Sequence, residues 1–209
     1  MYEFKEKKII LASNSLTRQS ILRNANINFS VQTAFLDEEA LKQSAISEGV
    51  SLSDCSTLLA EMKGKRVALA NSNAFVIASD QLLELEGHCF SKPSSLNNAK
   101  KQLTELQGKT HKLHTSVVVF LDGGRIWHHL SSPTITLRSL TEDEIDIYLH
   151  EIGESALSTP GSYQIESQGC HIIAQFTGTY YDILGLPLLP LLAFMRTHGL
   201  SVSNTKMTK

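Results

Sequence analysis

Four-residue runs made entirely of apolar side chains, each ending in a polar loop, set the strongest limit on how this chain can fold. Ile9-Ile10-Leu11-Ala12 passes into Ser13-Asn14-Ser15, and Phe75-Val76-Ile77-Ala78 passes into Ser79-Asp80-Gln81. Runs this short and this apolar read as buried strands, and the segments between them carry helical periodicity. The sequence predicts a strand over 8–12, a helix capped by Ser15 that carries Ile21, Leu22 and Ala25, and a second strand over 28–33 ending near Asp37-Glu38-Glu39. A helix is predicted over 53–71, capped by Asp54, with Leu58, Leu59, Met62, Val67 and Leu69 on its apolar face. The strand of Phe75–Ala78 follows it, and another helix over 97–106 ends at Gly108. A strand over 112–121, the turn Asp122-Gly123-Gly124 and a partner strand over 125–137 read as a hairpin. Thr141 and Glu144 have the spacing of a capping box, and short strands are predicted at 163–165 and 171–176. A last helix opens at Gly185-Leu186-Pro187 and closes at Gly199, ahead of a polar tail from Ser201 that reads as frayed. Strand–helix alternation combined with a hairpin points to α/β or α+β with a mixed sheet.

With 209 residues and 42% hydrophobic content the chain can bury a full core, as one domain or two small lobes. A formal charge of −2 gives no basic surface for polymeric nucleic acid. Cys55, Cys89 and Cys170 are odd in number and lack C-x-x-C spacing, which argues against a disulfide framework or zinc ribbon and for a reducing compartment. The apolar run at 9–12 is too short for a signal peptide or a membrane span, so the expectation is a soluble, cytoplasmic protein without membrane contact.

Four polar clusters lie just past predicted strands or at helix starts, where α/β proteins bind ligands. Ser13, Ser15 and Arg18 surround a helix N-terminus, whose free N–H groups favour anions, and an arginine can grip a phosphate with two teeth. A plain turn and cap with a solvated arginine accounts for the same residues. Asp37-Glu38-Glu39 offers hard oxygen ligands for Mg²⁺ or Mn²⁺, or simply a solvated acidic loop. Asp80 can activate a water, hold a metal or cap a turn, and Lys63 and Lys92 are single cations that read equally well as surface lysines. In "GSYQIESQGC" the alternation of Tyr163 and Ile165 with Gln164 and Glu166 gives one packed and one polar face. Glu166 there is either a carboxylate for the N–H edge of a base or part of an exposed strand face. His111/His114 and His128/His129 would point to opposite sides of a strand, which disfavours a histidine metal site. P-loop, dinucleotide-binding and serine-hydrolase motifs do not occur in the sequence.

The order of the clusters is more telling than any one of them. "IILASNSLTRQSILRNANINFSV", "DEEAL", "LAEMKGKRVALA", "VIASDQ", "SKP", "LQGKTHKLHTSVVVF", "GSYQIESQG", "FTGTYYDILGLPLLPLL" and "MRTHG" together resemble the Maf family of nucleoside triphosphate pyrophosphatases, over Lys8 to Gly199. The resemblance implies a two-lobed Maf/ITPase-like α/β fold spanning 1–200, with an extended mixed β-sheet flanked by helices and a central cleft. It implies Asp80 as general base, and Ser13, Ser15, Arg18, Lys63 and Lys92 as phosphate-binding residues. Glu38 with Asp80 would hold a divalent metal cation, Mg or Mn. A small-molecule nucleotide substrate and a homodimer are further implications. One family branch prefers dTTP and UTP, and another prefers 7-methyl-GTP and carries Ser-Asp-Gln plus a late-loop Glu. Ser79-Asp80-Gln81 and Glu166 resemble the second, so Thr17, Gln81 and Glu166 are read as specificity residues and 7-methyl-GTP as the expected substrate. A cationic methylguanine with N–H donors suits a carboxylate. Departures are Leu16-Thr17 where the family has Pro and an aromatic or Arg, Ser91 for Gly, and Ser167 for Gly. The alternatives are a dTTP/UTP pyrophosphatase, or a nucleotide-binding regulator of septum formation with little turnover.

Overall fold

The computed structural model describes residues 2–3, 7–33 and 35–202. In chain order the elements are β1 (Tyr2–Glu3), β2 (Lys8–Leu11), α1 (Leu16–Asn24), β3 (Ser30–Val31), α2 (Glu38–Ser47), α3 (Leu52–Ala68), β4 (Ala74–Leu85), β5 (His88–Phe90), α4 (Leu96–Leu106), β6 (Thr110–Leu121), β7 (Gly124–Ser131), β8 (Thr134–Leu137), α5 (Glu142–Ile152), β9 (Ile173–Phe176), α6 (Tyr180–Ile183), α7 (Leu188–Thr197) and β10 (Ser201–Val202). The fold is α/β, with an eight-stranded mixed sheet in the order β3-β2-β4-β6-β8-β9, β5 adding to β4 and β7 to β6. The chain divides into two compact units, one of residues 1–80, 115–130 and 185–209 and one of 81–114 and 131–184. Among the described residues no helix is long and apolar enough to cross a membrane.

In the first unit β2 runs parallel to both β3 and β4, pairing Ile10 with Ser30 and with Val76. Ile10, Ala12, Val76, Ala78, Val118 and Phe120 form a core with Ala60, Val67 and Ala68 of α3. Of the apolar face predicted for α3, Leu59 and Val67 are buried, but the inward face is wider and made largely of small residues. Leu58 and Leu69 are exposed, while Ser56, Ala60, Gly64 and Ala68, spaced four apart, are buried. Small residues face inward because the helix lies close to the strands: a Cβ on Gly64 would stand 2.8 Å from two ring carbons of Phe120 and 3.1 Å from Ala78 Cβ. β1 pairs antiparallel with β10, and residues 203–209, the rest of the predicted tail, lie outside the described residues.

The second unit has its own core, in which Leu83, Leu85 and Phe90 meet Ala99, Leu103 and Leu106 of α4 and Ile145, Tyr148 and Leu149 of α5. Glu86 and Gly87, both at positive φ, form the tight turn that returns β5 antiparallel onto β4. β8 pairs antiparallel with β6 and with β9.

Several predicted boundaries need correction. The second strand shrinks to Ser30–Val31, and the acidic triplet is not a loop: Asp37 caps the ten-residue helix α2, accepting from Ala40 N at 3.0 Å. The cap of α3 is Ser51 rather than Asp54, whose carboxylate instead accepts the Ser51 hydroxyl. The strand that begins at Ala74 does not stop at Asp80 but continues to Leu85. The predicted strand over 125–137 breaks at Ser132-Pro133, since proline has no N–H for a ladder. Tyr163–Ile165 is not a strand, and β9 starts only at Ile173, because 160–162 and 168–171 are single helical turns. The Ser15 cap, the Thr141–Glu144 capping box and the α7 boundaries agree with the sequence reading. Gly64→Ala is expected to lower the unfolding free energy by about 1–3 kcal/mol despite alanine's better helix propensity. Urea denaturation measures it, and an unchanged or raised midpoint contradicts the close helix–strand contact.

Candidate active site

In the first unit three elements deliver charged side chains to one point. Asp80, in the middle of β4, is 6% exposed. Lys63, one residue before the glycine that lets α3 approach the sheet, places Nζ 2.5 Å from Asp80 Oδ1 and 2.7 Å from Glu38 Oε2. Glu38 is the first residue of α2, where a carboxylate is favoured by the helix dipole. Two acids from different elements therefore converge on one ammonium.

The N-terminus of α1 completes the cluster. Ser15 caps the helix by accepting from Arg18 N at 3.3 Å, and Ser13 Oγ accepts from Ser15 N at 3.2 Å and from Arg18 Nη1 at 3.3 Å. Arg18 also donates from Nε to Gly185 O at 2.7 Å and from Nη1 to Ser79 O at 2.8 Å. Ser79, fully buried, directs its hydroxyl to Gly185 O at 2.8 Å and Ser116 O at 2.7 Å. Arg18 thus spends two nitrogens on backbone carbonyls, one of them in the peptide that leads into Asp80. Neighbouring side chains of a strand point to opposite faces. Fixing Ser79 on its face therefore fixes Asp80 on the other.

Burial raises the Asp80 pKa above the usual carboxylate value, outweighing the charges of Lys63 and Arg18 and the Lys63 hydrogen bond, while Glu38 adds to the rise. A carboxylate shifted this way is a stronger base than a solvated one. Burial also lowers the pKa of Arg18, against the opposing pull of Asp80 and Glu38.

Of the residues singled out from sequence, Ser13, Ser15, Thr17, Arg18, Glu38, Lys63 and Asp80 belong to the first unit, and Gln81, Lys92 and Glu166 to the second. Thr17 lies in the first turn of α1. Gln81 Nε2 donates to Asp182 O at 3.0 Å and Ile183 O at 3.1 Å, which ties β4 to α6. Lys92 is exposed in the connection from β5 to α4, and Glu166 is exposed in the turn after Tyr163. Sequence reading missed Ser79 and Gly185, which position the Asp80 peptide, and Lys42, a buried cation on α2 whose Nζ lies 2.5 Å from Glu39 Oε2. Only the run of Ser79-Asp80-Gln81 in an apolar strand hinted at the first, and nothing local marked Lys42 as buried.

The Glu166 turn is anchored from beneath. His111 Nε2 and Tyr163 Oη are 2.5 Å apart in the interior, and Tyr148 Oη donates to Ser162 O at 3.2 Å. Gly169 has no room for a side chain, since a Cβ would fall 2.4 Å from Gln164 O. Glu166 acts on its neighbourhood as well, for burial, then the Glu166 charge, raises the pKa of the Tyr180 phenol.

A hard divalent cation can be tested against this donor set. Among the described residues no three His, Cys, Asp or Glu side chains form a cage. Glu38 and Asp80 nevertheless already hold a cation between them, the Lys63 ammonium, and hard carboxylate oxygens in pairs suit Mg²⁺ or Mn²⁺ when phosphates complete the shell. The residues fit such an ion.

Residues 8–198 match the family described as Maf-like protein. The chain belongs to the Maf family. The nucleoside triphosphate pyrophosphatase of Rhodospirillum rubrum is 41% identical to this Maf protein over 195 residues, covering 93% of this chain and 96% of the relative. A Granulibacter bethesdensis protein of the same name is 41% identical over 191 residues, 91% and 97% of the two chains. The 7-methyl-GTP pyrophosphatase of Brucella abortus is 40% identical over 189 residues, 90% of the Maf chain and 95% of its own.

His111 supplies a pH test of the second unit. Burial depresses its pKa to about 4 from 6.5, so the unfolded chain takes up the proton first as pH falls. The stability His111 contributes is complete above pH 6.5 and is lost as pH falls towards about 4. The loss amounts to about 3 kcal/mol. Urea unfolding of the wild type and His111→Gln across this window is expected to show a shallower acid slope in the variant; equal slopes contradict the assignment.

Proposed function

We propose that this protein hydrolyses a nucleoside triphosphate to the nucleoside monophosphate and pyrophosphate, with 7-methyl-GTP as preferred substrate. The observation that carries the reaction is Asp80, buried, shifted towards basicity and in contact with Lys63 beside Glu38. Family membership and the names of the relatives support the same chemistry.

In this reading Asp80 accepts the proton of a water that attacks the α-phosphorus, and the bond to the β-phosphate bridging oxygen breaks. Ser13 and Ser15 offer hydroxyl and backbone donors to the phosphates at the start of α1. Lys63 balances polyphosphate charge, and the family resemblance gives Lys92 the same role. Arg18 keeps its positive charge and contributes it to the phosphates, while its Nε and Nη1 hold the Gly185 and Ser79 carbonyls. A bound Mg²⁺ or Mn²⁺, held by Glu38 and Asp80, would supply further neutralisation of charge on the phosphate oxygens. The protein's own share is placement and electrostatics.

The choice of base rests on Glu166. A carboxylate complements a cationic 7-methylguanine and its N–H edge, whereas a neutral guanine or a pyrimidine lacks the charge. Gln81 and Thr17 are read as supporting this selection, Gln81 through its hold on α6.

Asp80→Asn, checked for folding by circular dichroism, is expected to release pyrophosphate more slowly by roughly 10²–10⁴-fold. A folded variant with near-full kcat removes Asp80 from the mechanism. Competition at equal concentration should favour 7-methyl-GTP over dTTP and UTP, and Glu166→Gln should cut kcat/KM for 7-methyl-GTP by roughly tenfold. A preference for dTTP or UTP, or an unchanged kcat/KM in the variant, contradicts the substrate assignment.

A further inference from the structure

The Lys63 ammonium sits between the two carboxylates that the proposed metal would share. Its Nζ lies 2.5 Å from Asp80 and 2.7 Å from Glu38, and its side chain is only 12% exposed. An ammonium and a divalent cation cannot both sit between the same two carboxylate oxygens, because they would occupy the same point and their charges repel. Resting on the active-site reading above, we propose that Lys63 is a placeholder cation. It partly balances Glu38 and Asp80 while the site is empty of metal and nucleotide, and yields them to a divalent ion when a polyphosphate arrives to take its charge.

Geometry makes the exchange local. Lys63 is rooted on α3, held against the sheet through Gly64, so its Cα does not move freely. The flexible four-carbon stem alone has to swing, and Lys is the cation suited to this, being a compact charge on a long stem rather than a rigid fork. Arg18 could not play the part, with Nε and Nη1 committed to the carbonyls of Gly185 and Ser79. The exchange couples the two ligands. Metal alone has to displace an ammonium from both carboxylates it is paired with, so it binds weakly; a triphosphate offers that ammonium a new anion, so each ligand strengthens the other.

The test reads binding rather than turnover. Mn²⁺ binding to the full-length protein is measured by calorimetry and by its paramagnetic resonance signal, with no nucleotide and then with a non-hydrolysable α,β-imido analogue of GTP. Lys63→Met, and Lys63→Gln as a second variant that keeps N–H donors, are expected to bind Mn²⁺ alone more tightly than wild type by on the order of tenfold, and to gain less from the analogue. Equal or weaker Mn²⁺ binding by the folded variants overturns the proposal. The wild-type protein supplies an independent arm in case neither variant folds. With ¹³C-labelled lysine, the Lys63 ε-methylene resonance, assigned with Lys63→Arg, should move on addition of Mg²⁺ and analogue together, and a resonance that stays fixed while both bind overturns it too. Loss of the pyrophosphatase reading would appear separately, as absence of pyrophosphate release from a protein whose Mn²⁺ binding still responds to Lys63.

Discussion

Burying the Asp80 carboxylate in the middle of a strand costs free energy that the Lys63 ammonium offsets in part, and that contact joins α3, β4 and, through Glu38, α2. Lys63 reaches Asp80 because α3 approaches the sheet through small side chains, with Gly64 against Phe120 and Ala78. Breaking a buried pair by removing one partner is far more damaging than never having built it. The contact therefore constrains the helix and the strand together. Glu38, on a separate helix, shares the ammonium, so α2 is drawn to the same point.

A second set of bonds sets the direction of Asp80 without touching it. Arg18 and Ser79 both donate to Gly185 O, and Arg18 also holds the Ser79 carbonyl. Arginine is thus a fastening as well as a charge, which a sequence motif alone does not distinguish. In the second unit the same division of labour recurs. Glu166 is exposed on its turn, while His111, Tyr163 and Tyr148 hold that turn from inside.

What was legible in the sequence is what local chemistry encodes. Ser15, the Thr141–Glu144 pair, and Pro187 with Gly199 mark helix ends through their own hydrogen bonds and backbone angles, and they mark them correctly. The length of β4 was not legible, because Ser79, Asp80 and Gln81 look like a strand end. Their polar atoms are satisfied by Gly185, Ser116, Lys63, Asp182 and Ile183, from distant parts of the chain. Helix α2 escaped notice because it buries only Lys42 and Ala45, too little for a periodic signal. The inward face of α3 was only half read, with Leu59 and Val67 found and Ser56, Ala60, Gly64 and Ala68 missed, since closeness to the strands selects small residues there. The residues that gather around Asp80 in the first unit were singled out through an ordered set of short motifs. The sharing of Lys63 by two acids was not.

The central claim is that Asp80, Lys63 and Glu38 mark the place where an α-phosphoryl group is attacked. Its most direct test is a crystal structure of the protein with Mn²⁺ and an α,β-imido nucleotide, in which anomalous scattering locates the metal. The account predicts a Mn²⁺ peak shared by Glu38 and Asp80, with the α-phosphorus facing the Asp80 carboxylate and Lys63 turned to the phosphates. A metal and triphosphate bound away from these three side chains would contradict it.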